Sequence, residues 1–179
     1  DPEIDTLVSY LAQMGIGAQI FDQEGLTFAA VQNFKLIIWD DLGFQINGLT
    51  DNDVAIFQAA ANAGISLYFI GDDIATSALS LSASAQAQWV NLTHLNPASN
   101  NFGGNGSVDI VNTGHPVTNG PFGIVAGFDY SLDPDATTRT NTGEVLLGTS
   151  GVDPVLLASE GPVPAGDQGG VGRVVGAVH

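Results

Sequence analysis

The chain has 179 residues, 44% of them hydrophobic, which is enough for one domain with a sizeable core and too few for two comfortable ones. Nineteen Asp and Glu face only Lys35, Arg139 and Arg173, and the formal net charge of -16 excludes nucleic acid and anionic lipid, whose phosphates need clustered Lys and Arg. With no cysteine there is no disulfide framework, thiolate metal site or Cys nucleophile, and no run is long and apolar enough for membrane insertion.

Pro2 suits a first helical turn, and Ile4, Leu7, Val8, Leu11 and Met14 form one apolar stripe, so the chain opens on a helix that Gly15 stops. Residues 18–22 (AQIFD) read as a short strand, and 26–34 as a weak helical turn. Residues 35–39 form a strand without polar alternation, the mark of a parallel sheet covered by helices. Beyond the loop DLGFQING, Thr50 and Asp53 cap a helix that runs to about Ala63, where Gly64 ends it. The next buried strand spans 66–70, with helical segments at 73–78 and 82–90 and then a Gly-, Asn- and Pro-rich stretch over 96–106.

After Ser107 the pattern changes to short β-like runs at 108–111, 124–130, 145–147, 155–158 and 173–178, which are expected to pack at one edge of the sheet. The alternation indicates a single α/β domain over residues 1–179 with a mainly parallel sheet and a β-rich, loop-rich C-terminal half. Because the chain opens on a helix and ends on the strand RVVGAVH, the first strand and last helix of such a fold are expected to be missing. The sequence therefore reads as an excerpt of a longer polypeptide.

The motifs LIIWD at 36–40, GDDI at 71–74, HPVT at 115–118 followed by Gly120, and GRVV at 172–175 span most of the chain. In this order they resemble the class I glutamine amidotransferase-like superfamily, particularly its trehalose-utilisation-type and secreted non-glutaminase branches. The resemblance implies a flavodoxin-like three-layer sandwich with a ligand pocket at the strand carboxyl ends, near Gly71 and His115. True glutaminases carry a Cys at the turn after the second of these strands, with a His and Glu downstream. Here that turn is Gly71-Asp72-Asp73, so the thioester route does not carry over.

Asp40, Asp41, Asp72 and Asp73 are the leading candidate site residues. If their strands are parallel neighbours, the four carboxylates emerge at one edge and repel one another, which a hard cation such as Ca²⁺ or Mg²⁺ would relieve. The competing reading is that one Asp of each pair caps the segment that follows, as Asp73 could for 74–78. His94, His115 and His179 are too scattered for a zinc site, and His115 between Gly114 and Pro116 suits a shaped turn. Ser77 and Ser80 lack the G-x-S-x-G elbow of a serine hydrolase. The run DYSLDPD at 129–135 lacks the alternation of a calcium loop. The long loop at 96–106 could carry recognition, with Phe102 its one aromatic residue. Asn91 and Asn105 begin sequons that matter only in a glycosylating secretory pathway.

The expectation is a non-catalytic structural or interaction domain of a secreted or cell-surface protein, contacting other domains of the same polypeptide or neighbouring subunits. One alternative is a hydrolase or sugar-processing enzyme that uses the acidic pocket. Another is a self-assembling surface or filament subunit whose open sheet edge another chain or segment fills.

Overall fold

The computed structural model describes residues 2–41, 48–71, 74–97, 106–110, 112–114, 118–120, 123–124, 128–130, 144–149, 153–160 and 173–178. Helix α1 (Pro2–Gln13) ends as its glycine dictates. Gly15 adopts φ 75°, its N–H reaches the Ala12 carbonyl at 3.0 Å, and the Ile16 N–H reaches Leu11 at 2.9 Å. This is a Schellman closure, which needs the left-handed backbone that glycine adopts without strain. The expected strand at 18–22 does not form: the segment takes no regular secondary structure, with Ile20 exposed. Apolar composition alone does not make a strand without a ladder partner.

A 3-10 turn (Gln23–Gly25) and the short helix α2 (Phe28–Val31) lead to strand β1 (Leu36–Asp41). Helix α3 (Asp51–Asn62) begins on the expected capping box, with the Asp53 N–H donating to Thr50 Oγ1 at 3.2 Å and the Thr50 N–H to Asp53 Oδ2 at 2.9 Å. It ends on a second Schellman closure at Gly64, φ 80°. Strand β2 (Ser66–Gly71) follows, then helix α4 (Ile74–Ser77), a 3-10 turn (Ala78–Ser80) and helix α5 (Ala83–Thr93), capped by the Ser82 hydroxyl.

The remaining elements are strands: β3 (Gly106–Ile110), β4 (Asn119–Gly120), β5 (Gly123–Ile124), β6 (Phe128–Tyr130), β7 (Glu144–Thr149), β8 (Asp153–Glu160) and β9 (Arg173–Val178). Strands β4 and β5 form a small hairpin, and the rest form one seven-stranded sheet in the order β1-β2-β9-β8-β7-β3-β6. The α/β class is therefore observed, but the sheet is mixed rather than mainly parallel. Strands β1, β2 and β9 run parallel, whereas the pairings β9-β8, β8-β7, β7-β3 and β3-β6 are antiparallel. A parallel neighbour needs a long crossover, and the three residues between β7 and β8 allow only a hairpin. The late strands do lie together on one side of the sheet, β9 pairing with β2 and β8, β7, β3 and β6 following it out to the far edge.

Side chains of β2 alternate: Leu67 and Phe69 are buried, while Ser66, Tyr68 and Ile70 are half-buried. The buried side faces α3 and α5, where Trp39, Phe57, Phe69 and Trp89 make successive edge-to-face contacts at 5.2, 5.1 and 5.0 Å. Such pairs add roughly 0.5–1.5 kcal/mol each beyond the area they bury. This aromatic row fixes the helices to the sheet and so fixes the ends of the strands. The opposite side of β2 is also partly covered, and burial raises the Tyr68 phenol above its usual range.

Candidate functional site

Parallel pairing in register aligns the carboxyl ends of three strands. Asp41 pairs with Gly71, and Gly71 with Val178, so Asp40, Asp41 and Gly71 share one sheet edge with the end of β9. The side chain of Asp40 is half-buried. Asp72, Asp73, His115 and Asn105 lie outside the described residues. Among the described residues, no group of three or more His, Asp or Glu side chains is arranged to hold a metal ion.

The best-defined polar cluster lies at the start of α3, at the same end of the β1-β2 pair, because α3 follows β1 and leads back into β2. Asp53 is 1% exposed. Its Oδ2 accepts hydrogen bonds from Gln23 Nε2 at 2.7 Å, Thr50 Oγ1 at 2.7 Å and the Thr50 N–H at 2.9 Å. The Gln23 amide also donates to the Gly48 carbonyl at 3.2 Å. A side chain at Gly48 would press on Ser77, since an added Cβ would sit 3.2 Å from the Ser77 Oγ. Hydrogen bonds thus tie three segments together, with Ser77 lying close against Gly48. A carboxylate at a helix N-terminus is stabilised by the helix dipole and by these donors. Its Oδ2 is committed to capping, and the residue has almost no exposed surface from which to meet a substrate.

A second acid ties the helices to each other: the Ser82 N–H donates to Asp51 Oδ1 at 2.9 Å. Hydrogen bonds from the Ser82 side chain and backbone lower the Asp51 pKa below its usual 3.8.

Asn112 links Gly114 and Thr118, the described residues on either side of 115–117. The Asn112 side chain accepts from the Gly114 N–H at 2.9 Å, and its backbone carbonyl accepts from the Thr118 hydroxyl at 2.5 Å. Thr118 is fully buried.

Asn91 is exposed on α5, but the hydroxyl of its sequon partner Thr93 is buried, donating to the Trp89 carbonyl at 2.9 Å and accepting from the Leu95 N–H at 3.2 Å. This helical arrangement is not the surface loop a glycan acceptor needs. His94 closes α5 at φ 59°, the one non-glycine residue at positive φ among those described, and burial lowers its imidazole pKa.

The Thr50-Asp53 box was readable from its spacing. Gln23 was not, because it meets Asp53 across thirty residues and no local pattern marks it.

No protein-family model and no curated protein matches the chain. Two solved structures are similar. The first is described as a cytoplasmic protein, STM3548, from Salmonella typhimurium, with TM-score 0.65 and 15% identity, covering 96% of this chain and 73% of that one. The second is the mmIFT52 N-terminal domain, with TM-score 0.60 and 12% identity, covering 97% of this chain and 77% of that one. The expected secreted or cell-surface location is withdrawn on the description of the Salmonella protein, and no other location takes its place. At these identities the likeness shows the fold alone: the chain shares its α/β architecture with both structures.

Proposed function

We propose that the chain is a non-catalytic interaction domain, built on a flavodoxin-like three-layer plan of the amidotransferase-like kind, whose carboxyl-edge pocket has no thiol chemistry. The observation that carries this reading is the end of β2: the strand runs out at Gly71 into Asp72-Asp73, and the chain has no cysteine to supply a nucleophile there. Two features support it. The buried carboxylate nearest the start of α3 is spent on capping, and no G-x-S-x-G elbow offers a serine in place of the thiol. Other domains or neighbouring subunits are the partners this reading implies.

The second reading is a hard divalent cation held between the two aspartate pairs, favoured by the register that sets Asp41 beside Gly71, the residue before Asp72. Thermal melting separates the two. In a variant with Asp40, Asp41, Asp72 and Asp73 all changed to Asn, the first reading expects an unchanged or higher melting temperature at low salt, because like charges are removed. It also expects CaCl₂ or MgCl₂ to act on the wild type no more than NaCl of equal ionic strength. The cation reading requires a specific Ca²⁺ or Mg²⁺ stabilisation of the wild type, about 2.7 kcal/mol at a hundredfold excess over Kd, that the Asn variant loses.

A further inference from the structure

Strand β1 ends the sheet and, among the described residues, pairs only with β2. An apolar edge strand offers unpaired backbone groups to another strand, and proteins commonly blunt such edges with central charges, proline or a bulge. Here the centre of the strand is Leu36-Ile37-Ile38-Trp39, and its charges sit only at the two ends: exposed Lys35 before it, Asp40 and Asp41 at its close. Lys35 is one of three basic residues in a chain of net charge -16.

The phase of the backbone is fixed by the Ser66 N–H donating to the Lys35 carbonyl at 3.0 Å. Residues 35, 37 and 39 therefore direct their backbone groups toward β2, and Leu36 and Ile38 direct theirs to the open side. Leu36 is also 45% exposed.

We propose that this edge pairs antiparallel with the same strand of a second copy, about a two-fold axis at Ile38. In that register the two Ile38 residues exchange N–H to carbonyl hydrogen bonds, Leu36 lies opposite Asp40, and Lys35 of each copy lies opposite Asp41 of the other. A parallel pairing would set the aspartates of both copies side by side. The antiparallel one separates them and gives each acidic end a lysine, so the charge pattern selects both orientation and register. The interface is isologous and closes at a dimer, unlike an open filament. The inference rests on the interaction-domain reading and names its partner. Its test is separate: a strictly monomeric wild type overturns the pairing alone, whereas turnover at the acidic edge overturns the domain reading alone.

The test is sedimentation velocity on the wild type, on Lys35→Glu, on Asp41→Lys, and on an equimolar mixture of the two variants. Wild type is expected to dimerise with rising concentration. Each variant alone places like charges opposite each other twice and should associate about tenfold more weakly. The mixture restores opposite charges at both positions and should recover a dimer. Ile38→Pro is a further check, since it removes an outward N–H without touching the β1-β2 ladder and should abolish the dimer. A wild type that stays monomeric at about 100-fold the concentration needed for detection, a dimer indifferent to both charge changes, or a mixture that stays monomeric would each overturn the proposal.

Discussion

Asp53 illustrates how a buried carboxylate can be structural at a sheet edge where chemistry is expected. Replacing it by alanine strands the Thr50 and Gln23 donors as well as removing the cap, so Asp53→Ala should cost about 2–3 kcal/mol in urea unfolding. Thr50→Ala should cost about 1 kcal/mol, since only the hydroxyl's share of the box is lost. Two other residues contribute to the pH dependence of stability. Hydrogen bonds from Ser82 depress the folded pKa of Asp51 below 3.8, so its stabilisation is complete above that pH and is lost as pH falls through the folded value. Burial depresses the folded pKa of His94 below 6.5, so the unfolded chain takes up its proton first, and stability falls as pH drops below 6.5 toward the folded value. Melting profiles from pH 7.5 to 3 should therefore show His94→Asn flattening the upper part of the decline and Asp51→Asn the lower part. Asn also tolerates the left-handed backbone at position 94.

Among the elements, those marked by local chemistry were legible. Gly15 and Gly64 stop their helices, and the box at Thr50 starts α3, because each signal acts within one turn. Gly64→Ala should lower stability by about 1 kcal/mol, the conformational cost at φ 80°. Gly15→Ala meets no atom within 4 Å, so its cost is conformational alone. Helix α1 has no residue described as buried, in contrast to the six buried positions of α3. The Gly15 change should therefore appear as faster amide exchange confined to α1, while the Gly64 change lowers the urea midpoint of the whole domain. Strand partners were not legible. AQIFD and RVVGAV both read as short strands, yet only the second forms one, since pairing depends on which edges the rest of the fold leaves open.

For the molecule as a whole, the net charge argues against nucleic acid as a partner, the lack of cysteine removes thiol chemistry, and the alternation of strands and helices pointed to the α/β class. Sheet direction was misread because apolar strands suggest a parallel sheet, whereas loop lengths decide direction late in the chain. The sequence placed the acidic ends of β1 and β2 on a shared edge only on condition that the two strands are parallel neighbours, a pairing the structure supplies. That edge carries the central claim, that it supports no turnover. The direct measurement is ammonia release from glutamine, with hydrolysis of p-nitrophenyl esters and glycosides alongside, by the wild type and by the variant with Asn at positions 40, 41, 72 and 73. The account predicts no release above buffer for either protein on any substrate. Turnover by the wild type that the Asn variant loses would contradict it.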